Sequence, residues 1–143
     1  RSIVGEAGIT LYTVNAIKDF GVKKYVAIDG GMFENPRHAL YDSQYSAIVC
    51  DKADEPMTDK VTLAGKCCES GDIIAENVPL QKAEVGDVVA VFTTGAYNYS
   101  MSSNYNLNAV PPVVIVKGDK ADLIVKGQTY EDILRNNVVP EWI

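Results

Sequence analysis

The sequence is poor in the residue types that announce a metal site, a nucleic-acid surface or a membrane anchor. Histidine occurs once and cysteine three times in 143 residues, and Cys67 and Cys68 are adjacent. Adjacent cysteines do not have the Cys-x₂₋₄-Cys spacing of zinc sites, so no metal centre is expected. Nor do neighbouring cysteines readily reach good disulfide geometry with each other. An odd count without an obvious pairing fits a reducing, cytoplasmic compartment. No basic run occurs, and the net charge is −6 with a pI near 4.7. Nucleic-acid binding is therefore not expected, because phosphate recognition depends on clustered Lys and Arg. No apolar stretch approaches the ~18 residues of a membrane span, and no signal peptide is evident. Asn98-Tyr99-Ser100 matches a glycosylation sequon but reads as accidental in a cytosolic chain.

Short β-type segments fill most of the chain. Ile9 to Ile17 alternates and carries β-branched Ile9, Thr10, Thr13, Val14 and Ile17. Further runs are Tyr25–Ile28, Ala47–Cys50, Lys60–Ala64, Asp72–Ala75 and Asp87–Thr93, separated by turn residues such as Asp51, Gly65, Gly71 and Gly86. Val113–Lys117 and Leu123–Lys126 flank Gly118-Asp119, a hairpin signal. Pro36 to Tyr41 can form one helical turn with Asn35 as N-cap, and Thr129-Tyr130-Glu131-Asp132 has the form of a capping box opening a helix to about Asn136. The expectation is one mainly-β domain over residues 1–143, a Greek-key-like β-barrel with one or two short helices. Its hydrophobic content of 47% and its length suit a single core without staples, since a chain near this size buries roughly 68–70% of its unfolded surface.

The stretch richest in chemistry is Gly65-Lys66-Cys67-Cys68-Glu69-Ser70-Gly71-Asp72, a loop between two strand-like runs. A thiol beside a carboxylate can hold and pass protons, and glycines permit close approach to a ligand; a plain polar turn is the competing reading. Ile28-Asp29-Gly30-Gly31-Met32, Asn35-Pro36-Arg37-His38-Ala39-Leu40-Tyr41, Cys68-Glu69-Ser70-Gly71-Asp72 and Gly95-Ala96-Tyr97 occur in that order. Together these motifs resemble the diaminopimelate decarboxylases, within the fold-type III pyridoxal-phosphate decarboxylases, over nearly the whole chain.

That resemblance implies a C-terminal β-barrel like those of alanine-racemase and ornithine-decarboxylase-like enzymes, joined to an N-terminal (β/α)₈ barrel. It assigns substrate contacts to Arg1, Arg37, Tyr41 and Glu69, the catalytic thiol to Cys68, and a place near the cofactor phosphate to Tyr97. His38 stands where the family pattern has proline. The implied reaction is removal of one carboxylate from meso-2,6-diaminopimelate, giving L-lysine for biosynthesis, at sites shared across a homodimer. In such chemistry the pyridoxal ring acts as electron sink while carbon dioxide leaves. An ordinary thiol, with a pKa of about 8.5, is mostly protonated at neutral pH and can then return a proton to the α-carbon. An arginine at the distal end suits a substrate with a second carboxylate, and would repel the purely cationic tails of ornithine or arginine.

None of Lys18, Lys23, Lys24, Lys52, Lys60, Lys66, Lys82, Lys117, Lys120 or Lys126 lies in the family's Schiff-base motif, and the chain is shorter than the ~250 residues typical of a (β/α)₈ barrel. The expectation is a fragment that is inactive alone. Two other readings stay open: the corresponding domain of an ornithine, arginine or carboxynorspermidine decarboxylase, and a non-catalytic β-barrel assembly module. Cys67 and Cys50 are expected to be packing residues, the latter inside a strand. Tyr12, Tyr25, Tyr45, Tyr99, Tyr105 and Tyr130 are expected to be core or interface aromatics, and the acidic residues from Asp51 to Asp59 a solvated loop.

Overall fold

The computed structural model describes residues 2–143. Strands β1 (Ile9–Asp19), β2 (Lys24–Ile28), β3 (Ala47–Val49), β4 (Asp59–Ala64), β5 (Ile73–Leu80) and β6 (Val88–Phe92) form one sheet in the order β3-β6-β1-β2-β4-β5. All neighbours are antiparallel except β2 and β4. The longest strand, β1, pairs with β6 through Thr13 and with β2 from Val14 onward, with a register shift between Val14 and Ala16. A bulge of this kind increases local twist and bends the strand. The sheet curls until its edge strands β3 and β5 touch, giving the barrel-like form expected from the strand pattern. Buried Gln81 bridges that gap, its Oε1 accepting the Val49 amide at 3.0 Å. Ile28, Leu63, Ile74, Leu80, Val26, Val49, Val89 and Val91 fill the interior.

The elements outside this sheet are short. They are α1 (Arg37–Tyr41), α2 (Asn98–Met101) and α3 (Tyr130–Leu134), two 3₁₀ turns at Cys50–Lys52 and Tyr105–Leu107, and a ribbon of β7 (Val113–Lys117) and β8 (Lys120–Val125). The capping box at Thr129 and Asp132 is present in full. At α1 the cap falls on Pro36 rather than Asn35; the Asn35 Oδ1 still accepts the Arg37 amide at 3.3 Å, so its side chain serves the helix entry from one residue further out. Cys50 does not lie inside a strand: it opens the first 3₁₀ turn and is half-buried. β5 runs five residues beyond the expected Ala75, because Pro79 is tolerated on an edge strand and Asn77 adopts a positive φ of 57°. Among the described residues no helix is long and apolar enough to cross a membrane.

Candidate functional site

The loop from Asp29 to Tyr41 carries the first part of the site. Gly30 and Gly31 follow β2, and a Cβ on Gly30 would lie 2.1 Å from the Tyr12 ring, so only glycine lets the chain pass there. Beneath the loop, Tyr12 donates its hydroxyl proton to Glu34 at 2.5 Å, and both residues are buried. Burial pushes the Glu34 carboxyl up to about 7 and the Tyr12 hydroxyl well above its ordinary value.

Beyond Pro36, the Arg37 guanidinium sits 5.3 Å from the centre of the Tyr41 ring and 5.5 Å from that of Tyr97. Its Nη1 also faces the sulfur of Met101 at 3.8 Å. These side chains and Ser43 line an open cavity of about 590 Å³. Arg37 is only 8% exposed, yet among the described residues no carboxylate lies within ion-pair distance of it. Stacking on tyrosine faces offsets part of the cost of desolvating a cation, and the guanidinium fork has no carboxylate partner among the described residues. Tyr97 itself is held at φ 77°, a left-handed conformation that is costly outside glycine. Next to it, both side-chain amide atoms of buried Asn98 lack a hydrogen-bond partner among the described residues, as does Nδ2 of Asn35. A buried Asn98 is no glycan acceptor, so its sequon carries no function.

His38 keeps the turn closed where the family pattern has proline, with Nδ1 3.2 Å from the Ser43 carbonyl. The segment from Ser2 to Ala7 is a run of turns that packs against the Gly95-Ala96-Tyr97 motif, the Gly95 amide donating to the Gly5 carbonyl at 3.0 Å. Arg1 lies outside the described residues.

The second part of the site is the loop from Gly65 to Asp72. Asp72 is 2% exposed, and its carboxylate accepts the amides of Met32 at 2.6 Å and Cys67 at 2.7 Å. It fills the space beside Gly31 and Gly65, where a Cβ would come within 2.6 and 2.2 Å of its Oδ2. Further backbone bonds run from Lys66 to the Gly30 carbonyl and from Gly65 to the Asp72 carbonyl. One buried carboxylate thus fastens the thiol loop to the turn that leads to Arg37.

The two thiols of that loop differ. Cys67 is half-buried, and burial with nearby Asp72 pushes it up to about 11, so it stays protonated at neutral pH. Cys68 is exposed and holds its amide against Asn106 Oδ1 at 2.8 Å. Hydrogen bonds from the Gly71 amide and the Ser70 hydroxyl lower the Glu69 carboxyl, so it is ionised at neutral pH. The Tyr105 hydroxyl points at its other oxygen at 3.4 Å.

The structure therefore gathers Arg37, Tyr41 and Tyr97 at one cavity, and sets Cys68 and Glu69 together on a separate exposed loop. The connection from Tyr97 to Asn108 touches both, through Met101 at one end and Tyr105, Asn106 and Asn108 at the other. Met101, Asn106 and Asp72 carry site geometry that motif reading did not assign to them. Tyr105, expected to be a core or interface aromatic, lies outside the core and reaches the thiol loop. An asparagine-rich run after Gly-Ala-Tyr was the available signal, because Asn tolerates the left-handed backbone of tight, side-chain-bonded turns.

A mainly-β domain with a basic cavity and a seated thiol loop matches the family model described as "Pyridoxal-dependent decarboxylase, C-terminal sheet domain" over residues 3–95, and the chain belongs to that family. Among curated relatives it is 50% identical over 136 residues to the diaminopimelate decarboxylase of Bacillus subtilis, covering 94% of this chain and 31% of that protein. Among solved structures, the diaminopimelate decarboxylase of M. jannaschii in complex with L-lysine superposes with a TM-score of 0.88 at 38% identity, covering 97% of this chain and 32% of the other. A lysine/ornithine decarboxylase of Vibrio vulnificus complexed with cadaverine aligns over 73% of this chain and 28% of its own, with a TM-score of 0.61 at 25% identity. The chain spans about a third of the length of the relatives it matches.

Proposed function

We propose that this chain is the sheet domain of a diaminopimelate decarboxylase and supplies one wall of composite active sites in a cytoplasmic homodimer. A (β/α)₈ domain brings the remaining groups, including the Schiff-base lysine, and this domain alone does not turn over substrate. Likeness to diaminopimelate decarboxylases over almost the full chain, against partial likeness to a lysine/ornithine enzyme, supports the substrate assignment.

The observation that carries the reading is Arg37: a nearly buried guanidinium, unpaired among the described residues, at the wall of an open cavity. An unpaired buried cation is costly, and an anionic ligand removes the penalty. The donor set of Arg37, Tyr41 and Tyr97, beside the unpartnered amide of Asn98, also fits the anionic phosphate of pyridoxal phosphate. Tyr97 would take the phosphate, and Arg37 with Tyr41 the carboxylate at the non-reacting end of the substrate. Arg1, on the same reasoning by motif, contacts substrate. When bound, the cofactor supplies an electron sink for carbon dioxide loss.

Everything else follows from side chains of this chain. The Arg37 fork binds a carboxylate in two parallel hydrogen bonds, which orients the substrate as well as holding it. Reaching across the homodimer from its separate loop, ionised Glu69 receives the ammonium beside the carboxylate held by the other subunit. Cys68, exposed on a loop fastened through its backbone, holds the proton delivered to the α-carbon after decarboxylation.

In the full-length protein, Arg37→Ala should lower kcat/KM for meso-diaminopimelate by the equivalent of about 2–5 kcal/mol, the usual cost of truncating one partner of a desolvated charge pair. Steady-state kinetics against ornithine and lysine in parallel decide the substrate. A much smaller loss, or equal use of substrates without a distal carboxylate, would remove diaminopimelate from the assignment.

A further inference from the structure

We infer that Asn106 is a positioning residue for the Cys68 thiol, an inference that rests on the proton-delivery role proposed for Cys68. Tyr105, Asn106 and Asn108 each bond one member of the consecutive trio Cys67, Cys68 and Glu69. Asn106 Oδ1 accepts the Cys68 amide at 2.8 Å, Asn108 Nδ2 donates to the Cys67 sulfur at 3.5 Å, and the Tyr105 hydroxyl donates to Glu69 at 3.4 Å.

This grip is set in an unusual backbone. Asn106 and the following Leu107 have φ of 53° and 55°, a left-handed pair that interrupts the short 3₁₀ turn. Leucine gains nothing from that conformation, so it persists because its surroundings impose it. Those surroundings are visible: Asn104 Nδ2 donates to the Asn108 carbonyl at 2.9 Å and to Gln128 Oε1 at 2.6 Å, and that same oxygen accepts the Val110 amide at 3.0 Å. A brace running from Asn104 to Gln128 thus holds a strained turn from which the Asn106 side-chain oxygen meets the Cys68 amide. Cys67 has Asp72 to seat it, whereas among the described residues the Cys68 amide has Asn106 as its one partner. That bond holds the Cys68 backbone, and with it the point on the loop from which the exposed thiol projects.

The test uses the full-length decarboxylase. Asn106→Gly keeps the left-handed backbone and removes the acceptor; Asn106→Ser is too short to reach the same amide; Asn106→Asp retains an oxygen there. Turnover in heavy water labels the decarboxylated carbon with one deuterium, and the configuration of that label reports which face receives the proton. Asn106→Gly and Asn106→Ser should lower kcat about tenfold, the scale of one hydrogen bond, with KM within about twofold and mixed label configuration. Asn106→Asp should restore both kcat and a single configuration. Cys68→Ala runs alongside. If Cys68→Ala is impaired while Asn106→Gly and Asn106→Ser match the parent in kcat and configuration, the inference about Asn106 fails and the role of Cys68 stands. If Cys68→Ala itself turns over normally with one configuration, both fall.

Discussion

Strands β6 and β7, Val-Val-Ala-Val-Phe and Val-Val-Ile-Val-Lys, share their three valines and have opposite surroundings. In β6, between β1 and β3, Val89 and Val91 are fully buried. In β7, whose one neighbour is β8, Val114 is 48% and Val116 69% exposed. Strand-forming propensity is shared; what differs is the second partner and the second layer. A two-stranded ribbon is marginal in water without a surface to pack on. The apolar faces of β7, β8 and the C-terminal Val138, Val139 and Trp142 lack such cover among the described residues. The curled sheet packs its valines into its own core, and the ribbon leaves its apolar faces exposed.

Three measurements would sharpen or break that contrast. The largest effect is expected at the centre of the sheet: Leu63→Ala, at 0% exposure, should cost about 2–5 kcal/mol of unfolding free energy in urea titrations. A cost under about 1 kcal/mol would show a core looser than its burial implies.

Next comes the polar floor of the sheet. The Glu34 carboxyl is raised to about 7 in the folded state against 4.5 when free, so the folded form binds the extra proton between those values. Stability from this group is fully present below pH 4.5 and is lost as pH rises toward 7, on the order of 3 kcal/mol in total. Glu34→Gln should remove that slope, and parallel slopes in both proteins would place the titration elsewhere.

The smallest effect on stability belongs to the ribbon. Ile115→Thr with Ile124→Thr should change unfolding free energy by less than about 0.5 kcal/mol in the same urea titrations, because both side chains are already exposed. A loss as large as that of Leu63→Ala would mean the ribbon already packs on this sheet.

Local pattern carried much of this fold. Alternation found β1, apolar runs bounded by glycine and aspartate found β2, β3, β4 and β6, and Gly118-Asp119 found the hairpin. The capping box at Thr129 was legible because Thr and Asp three residues apart satisfy one another regardless of context. The continuation of β5 was not, since Glu76, Asn77 and Pro79 read as a turn unless the strand is known to be an edge. The stacking of Arg37 between Tyr41 and Tyr97 joins residues 60 positions apart, and no periodicity reports it. Asp72 looked like the start of a strand, and its work as an anchor depends on two glycine turns meeting in space.

That anchor has a consequence for how such a site can change. Lys66, Cys67 and Cys68 are each seated through a main-chain amide, to Gly30, Asp72 and Asn106, with lesser side-chain contacts from the Cys67 sulfur to Asn108 and from Lys66 to the Phe33 ring. The loop behaves like a socket whose contacts are rewired without moving the housing. Chemistry at those three positions can be exchanged one residue at a time, while any bulk added at Gly31 or Gly65 dislodges the whole fitting.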